Sequence, residues 1–319
     1  MPSEPRDLGG PDSGQHLRIR AAWIYYIEGK TQNEVGNILG VPRVTVTRLL
    51  SEARRRGEVK IEITSPLASL TGMARALESK FNLTEAVIAP FQDVGGDPTK
   101  VIAAAAGRVI AQLMDNDLMI GVGWGRTLHA SLPFIQGRHL SNVRVVSLLG
   151  GIAKARGFNP AEFAWQFANL FDAEGFLVPA PALVDSAETR HMLLEHCGLE
   201  QIFEMVEGMD VALFSVGALS TLMTSYRLGH ITEAERRSLQ EAGAVGDILY
   251  NFISESGDLV VHPVNARAVS IGLDRLAKVP RKMLVSGGPE KVAVLRGALK
   301  LLRPTILVTD ELTAAALLK

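Results

Sequence analysis

TQNEVGNILGVPRVTVTRLLSEARRR, residues 31–56, reads as two short helices joined by a tight turn. Thr31 is placed to cap the first helix, and Glu34 reaches back to the free backbone donor of the cap, the reciprocal pattern of a capping box. Val35, Ile38 and Leu39 then fall on one face. Gly40 supplies the left-handed conformation that ends a helix, and Pro42, with its φ already fixed, suits the start of the next. The second helix turns Val46, Leu49, Leu50 and Ala53 inward, which leaves Arg43, Val44, Thr45, Thr47 and Arg48 on the outside. Guanidinium forks match guanine, hydroxyls match phosphates or base edges, and a valine matches a thymine methyl. This face predicts a reader of operator double-stranded DNA, and the element is a helix-turn-helix.

Downstream, Arg54, Arg55 and Arg56 extend the helix with cations placed to follow phosphates; Gly57 stops it, and Val59–Ile63 alternates as a short strand. Arg43 to Lys60 holds six basic and two acidic residues, a local net of +4 in a chain of formal net charge −1. A positive field confined to one module fits a sequence-reading regulator better than a nonspecific nucleic-acid coat. Upstream, the spacing of Ile19, Ala22, Trp23, Tyr26 and Ile27 predicts a helix over Leu17–Glu28 with that stripe buried.

Residues 1–16, rich in Gly, Pro, Ser and Asp, predict a disordered arm without the basic start and apolar core of a signal peptide. No run approaches a membrane span, so a cytoplasmic address is expected. The single cysteine, Cys197, excludes an intrachain disulfide and a cysteine-clustered metal site; it is expected to be a small buried hydrophobe, and no metal or cofactor is predicted. At 319 residues, 47% hydrophobic and 21% charged, the chain has room for two globular domains. We divide it into the arm, a helix-turn-helix domain over 17–64, a linker helix within 65–83 after a hinge at Pro66, and a second domain over 84–319. In the linker helix, Leu70, Met73, Ala74, Leu77 and Phe81 share one side, suited to pairing with a second copy.

Beyond residue 84 short apolar runs alternate with amphipathic helices: Ala86–Ala89, Leu118–Val122, Val143–Leu149, Phe176–Pro179, Val211–Val216, Lys282–Val285 and Thr305–Thr309. Such runs, bounded by Gly, Pro or Asp, predict an α/β fold with a mostly parallel sheet covered on both faces. Ligands of such folds lie at the carboxyl ends of the strands. The loop Gly121-Val122-Gly123-Trp124-Gly125-Arg126-Thr127 precedes a helix, so converging amides, a guanidinium and a hydroxyl make it a phosphate-type cradle. Glycines needed only for tight turns are the equal alternative there, and Trp124 is either a stacking surface for a sugar or core. Gly150-Gly151 with Asn159 forms a second loop. Asp247, beside Gly243 and Gly246, is either an acceptor for sugar hydroxyls or a helix cap. Lys291 follows Gly287-Gly288 in a first helical turn, where a cation is misplaced unless an anion sits nearby. His129, His262 and Asn265 are expected to be structural.

Several blocks together resemble one family. AAWIYYIEGKTQNEVGNILGVPRVTVTRLLSEARRRGEVKI, IGVGWGRTL, SLLGGI, GAVGDIL, HPVNARAVSIGL, LVSGGPEKVAVLRGALK and LVTDELTAAALL are similar, in order, to blocks of the SorC sugar-binding transcriptional regulators, related to the DeoR group. The resemblance spans Leu17 to Leu318. It implies a Rossmann-like effector domain akin to sugar-phosphate isomerases, a dimer or homotetramer, and control of an operon by a sugar, polyol or sugar phosphate, with no enzymatic activity. By position it implies effector contacts from Gly123, Gly125, Arg126, Thr127, Gly150, Gly151, Asn159, Asp247, Gly287, Gly288 and Lys291; Trp124 joins them only as the candidate stacking ring. This chain departs from the family pattern at Tyr250-Asn251, where relatives carry a glycine and a basic or polar residue, and at Pro42, where relatives carry Ser or Thr. The first departure predicts a bulkier pocket edge, the second a loss of one cap and one phosphate donor. The alternative reading is an isomerase- or deaminase-like enzyme with an appended helix-turn-helix.

Overall fold

The computed structural model describes residues 13–60, 68–152 and 159–319. They fall into two compact units, Met1–Ser65 and Pro66–Lys319. The first unit contains α1 (Ser13–Tyr26), α2 (Gln32–Leu39) and α3 (Arg43–Arg55). Thr31 and Glu34 form both halves of the capping box, and Gly40 takes φ 67° to end α2. Val35, Val46, Leu50 and Ala53 are buried between the helices, with Leu39 and Leu49 packed at the edge.

Helix α1 corrects the predicted stripe. Ala21, Ala22 and Ile24 face the core, whereas Ile19, Trp23 and Ile27 are exposed, Trp23 by 59%. The small alanines bring α1 close to its neighbours, and Arg18 turns inward to a two-pronged ion pair with Glu58, Nε to Oε2 at 2.6 Å and Nη2 to Oε1 at 2.5 Å. Ile38 is likewise exposed rather than buried. Ser13–His16, read as arm, begin α1. The expected strand Val59–Ile63 runs out of the described residues after Lys60, and Pro66 lies outside them.

In the second unit α4 (Ala68–Phe81) lays Leu70 and Leu77 into the main core. A seven-stranded sheet follows, built from β1 (Glu85–Ala89), β2 (Met119–Val122), β3 (Arg144–Gly151), β4 (Glu174–Pro181), β5 (Val211–Phe214), β9 (Arg281–Val285) and β10 (Ile306–Asp310). All seven apolar runs are strands, and every pair is parallel, in the order β1-β10-β9-β5-β2-β3-β4. Parallel strands need crossovers that cover both faces, which explains why β2, β5 and β10 are buried along their whole length. On one face α5 (Thr99–Leu113) and a later helix, Pro160–Leu170, pack apolar side chains; on the other lie α4 and the helices Val292–Leu302 and Glu311–Leu318. Phe163, Phe167 and Phe171 stand 5.9 and 5.4 Å apart by ring centroids, fully buried. Truncating any one to alanine should cost about 3–5 kcal/mol.

A second sheet was not foreseen. Here β6 (Gly217–Ala218), β7 (Gly246–Ile248) and β8 (Asn251–Ile253) pair antiparallel. Cys197 corrects another expectation: it follows the helix Ala187–His196 and is exposed. His262 and Asn265 hold loops together as expected, Asn265 bridging the backbone of Phe252 and Val260. No helix among the described residues is long and apolar enough to cross a membrane.

Candidate functional site

The reader face of α3 is open. Arg43, Val44, Thr47 and Arg48 are exposed and Thr45 is half-buried, with Val44 80% accessible. Pro42 starts the helix at φ −60° without any side-chain cap. Thr47 spends its hydroxyl on the Gln32 side chain at 3.0 Å and the Arg43 carbonyl at 3.1 Å, so its polar atom is already engaged. Arg43, Arg48 and Arg54 form no ion pair with any described residue. Arg55 instead bonds Glu52 through both nitrogens, and Arg56 joins it. The Arg55 and Arg56 hydrogen bonds pull the Glu52 carboxyl down to about 2.

In the second unit the strand order reverses between β2 and β5, the place where parallel α/β sheets open a crevice at their carboxyl ends. A cleft open to solvent lies there. Four separated segments line it: Trp124–Arg126 after β2, Ser215–Ser225 after β5, Asp247 with Leu249, and Glu290 with Lys291. The Gly123 N–H donates to the Leu213 carbonyl at 2.7 Å and ties the first loop to β5. Gly125 sits at φ 149°, with its α-carbon face against Ser215, a conformation that a side chain would strain.

The cleft carries charges of both signs. At one end Arg126 begins a helix, Arg126–Ser131, of six residues, too short for its dipole to dominate. The Arg126 guanidinium faces Asp97 at 3.7 Å, too long for a hydrogen bond and so open to a closer acceptor. Asp97 is held ionised chiefly by its bonds to Thr99, at 2.5 Å from the hydroxyl and 3.0 Å from the amide. Lys291 is half-buried and its ammonium makes no hydrogen bond with a described residue. Burial lowers its pKa, opposed by the Glu290, Asp97 and Asp310 carboxylates. An anion beside Lys291 and Arg126 would relieve that cost.

On another wall Asp247 lies on β7, only 7% exposed. It accepts from the Tyr250 N–H at 2.9 Å. Its Oδ1 crowds Gly217 so closely that a Cβ there would lie 2.4 Å away, so only glycine permits this approach. Burial pushes the Asp247 carboxyl up to about 7, against the pull of the Tyr250 amide and Lys291. A buried carboxylate poised near neutrality in a cleft is a common mark of a functional group.

The turn that presents Asp247 is strained. Ile248 pairs with Asn251, so Leu249 and Tyr250 are the two residues of a tight hairpin at φ 53° and 63°. Asn and Gly are the residues that usually occupy such a turn. Left-handed backbone costs a non-glycine residue roughly 1–2 kcal/mol. Burial compensates: Leu249 is 1% and Tyr250 0% exposed, and Tyr250 stacks on Trp124 at 5.3 Å and 7°. Its phenol shares a 2.8 Å hydrogen bond with His230. Asn251 locks the turn by donating to the Ile248 and Leu249 carbonyls and to Ser270. Tyr250 therefore props Trp124 from behind and is not at the rim of the cleft, contrary to the bulkier edge expected from sequence.

Of the predicted effector residues, the cleft gathers Trp124, Gly125, Arg126, Asp247 and Lys291. Gly123 and Thr127 are buried just beneath. The remainder go elsewhere, each engaged internally. Gly150 donates its N–H to the Val269 carbonyl, beside Gly151, and Asn159 caps the helix Pro160–Leu170 while bonding the Ile152 backbone. The Gly288 N–H is taken by Asp310 and Thr313, and Gly287 packs against the same carboxylate.

Residues 65–319 match the family described as "Putative sugar-binding domain". The chain is 33% identical over 306 residues to the deoxyribonucleoside regulator of Bacillus subtilis, covering 95% of this chain and 97% of that one. Its fold aligns with the full-length sorbitol operon regulator SorC from Klebsiella pneumoniae at a TM-score of 0.75 and 26% identity, over 96% of this chain and 99% of that one. The chain belongs to the SorC family of sugar-binding transcriptional regulators.

Also similar to this SorC-family regulator is the erythritol catabolism regulatory protein EryD of Brucella abortus, 28% identical over 96% of this chain and 98% of that one. Sequence reading missed the whole Ser215–Ser225 wall of the cleft, and Asp97, which faces Arg126. The wall carries no glycine pair or charged motif. Its only sequence signal is position, directly after the central strand β5.

Proposed function

We propose that this regulator binds a phosphorylated sugar or polyol in the cleft and controls a carbohydrate or polyol catabolic operon through it. One observation carries the reading, the meeting of two cations and a buried carboxylate in one cleft: Arg126 and Lys291 would face an anion, and Asp247 would accept from sugar hydroxyls. The family match and the names of the relatives support the ligand class. Arg43, Arg48 and Val44 read bases, and Arg54 holds a phosphate. Thr45 and Thr47 add contacts near the groove, and Arg55 joins them only after leaving Glu52. One short helix spans too few base pairs to be selective, so two copies bind paired half-sites as a dimer or within a tetramer, in the cytoplasm. Effector acts by favouring one of two states of the assembly.

A thermal-shift screen of erythritol, sorbitol, deoxyribose and their terminal phosphates tests this. A ligand at a hundredfold its Kd should stabilise the chain by about 2.7 kcal/mol. Protection by the phosphates, lost in Arg126→Ala, is the expected result; protection by the uncharged compounds alone would sink the anion assignment. The poised Asp247 carboxyl is also what an isomerase base would need. Incubation with pentose and hexose phosphates addresses that alternative, and no turnover is expected.

A further inference from the structure

Ser225 belongs to the wall after β5, on the single-turn helix Thr224–Arg227. It lines the cleft and is 3% exposed, and its Oγ, itself buried, has no hydrogen-bond partner among the described residues. Other buried serines in this unit satisfy themselves: Ser131 Oγ donates to the Leu128 carbonyl at 2.6 Å and Ser147 Oγ to that of Leu149 at 2.8 Å. Ser286 and Thr309 also carry unpartnered hydroxyls, but neither lines the cleft. A buried hydroxyl without a partner is unfavourable, and native structures retain one only for a reason.

The backbone around Ser225 is held on several sides. Its carbonyl accepts from the His230 and Ile231 amides at 2.9 and 3.3 Å, and Gly229, at φ 79°, closes the turn between them. His230 is tied in turn to Tyr250, whose ring stacks on Trp124. The Ser225 backbone is therefore fixed by the frame that also carries Asp247 and the aromatic wall, and a turn of the side chain about its Cα–Cβ bond is what would bring the hydroxyl to the cleft. The neighbours of Ser225 on its own segment, Ser220, Leu222, Met223 and Thr224, are uncharged, whereas both cations of the cleft come from other segments. Ser225 thus belongs to an uncharged stretch of the lining.

We propose that Ser225 is a specificity-determining residue whose hydroxyl pairs with one hydroxyl of the bound effector, so that the cleft selects against ligands deoxygenated at that position. This rests on the reading of the cleft as the effector site. The pairing satisfies the orphaned Oγ, and it adds to the Asp247 carboxylate a second, uncharged point of recognition that can both donate and accept.

The test is calorimetric titration of the full chain, wild type and Ser225→Ala, with D-ribose 5-phosphate, D-erythritol 4-phosphate and D-sorbitol 6-phosphate. Single-deoxy analogues of the tightest of these follow. Wild type should prefer the parent over one deoxy analogue by roughly three- to tenfold, the worth of one net hydrogen bond. Ser225→Ala should lose that factor for the parent and bind parent and analogue alike, while still discriminating the other analogues. Without ligand, the melting temperature of Ser225→Ala should equal or exceed that of wild type, because an unpaired buried hydroxyl has been removed. An undiminished preference in Ser225→Ala overturns the assignment, and so does a fall in the ligand-free melting temperature, which would mean that Oγ is bonded within the protein. If wild type binds none of the three phosphates, the effector reading itself has failed and the Ser225 assignment falls with it. Binding with every deoxy preference intact in the variant defeats the Ser225 assignment alone.

Discussion

The two functional surfaces of this regulator are built in opposite ways. The proposed DNA-reading face comes from consecutive turns of one helix, Arg43 to Arg54, and all its side chains but the half-buried Thr45 are exposed. The cleft is assembled from segments more than 150 residues apart, and its decisive groups, Asp247, Ser225 and Lys291, are wholly or partly buried. On the helix, Arg43, Arg48 and Arg54 are exposed and form no ion pair with a described residue. Buried groups take their chemistry from the frame, as the Asp247 carboxyl shows by rising to about 7. Substitutions in the reader should therefore act one side chain at a time, and substitutions in the cleft should act through stability and pH as well as affinity.

The largest expected effect tests that contrast at Asp247. Its ordinary pKa in an unfolded chain is about 3.9, and the folded value is about 7. The folded state thus holds a proton that the unfolded state has released. The resulting stabilisation is complete below pH 4 and is lost as pH rises through about 7. Denaturation of Asp247→Asn should match wild type near pH 4 and exceed it at pH 8, since the neutral amide can still accept from the Tyr250 N–H. If the two stabilities run parallel across that range, Asp247 is not the titrating group. Effector affinity should move the other way, because the ionised form accepts a ligand hydroxyl better: in wild type it should fall by up to about tenfold per pH unit below 7.

Next in size is Arg126→Ala, expected to weaken a phosphorylated effector about tenfold to a hundredfold by removing a charged hydrogen bond. An uncharged polyol should lose much less, and operator binding without ligand should be unchanged; calorimetry with matched sugar and sugar-phosphate pairs reads both. In the reader, Arg43→Ala or Arg48→Ala should cost about 1–3 kcal/mol at particular base positions. Competition between the operator and singly substituted operators would show whether discrimination is lost at one position or at none, and the latter result removes the base-reading role. The smallest effect belongs to Arg54→Ala, which should weaken all sequences alike and flatten the salt dependence by roughly one unit. Arg55→Ala should change the slope less, since its guanidinium already neutralises Glu52.

Sequence by itself determined what local rules determine. A capping box, a helix-ending glycine and a helix-starting proline act within a few residues, so the helix-turn-helix was legible, as were the seven apolar runs that became the parallel strands. It also singled out Trp124, Arg126, Asp247 and Lys291, because glycines, charge and strand ends mark them. Tertiary structure decided which apolar stripe is covered: α1 buries its alanines and exposes Trp23, a choice set by how near α1 can approach its partners. It decided too that backbone groups of Gly150, Gly151 and Gly288 meet hydrogen-bond partners far along the chain, whereas Asn159 bonds within its own loop. And it alone revealed Ser225. An unpaired hydroxyl is a property of its surroundings, and nothing in the local sequence TLMTSYRLG distinguishes a serine that has a partner from one that awaits a ligand.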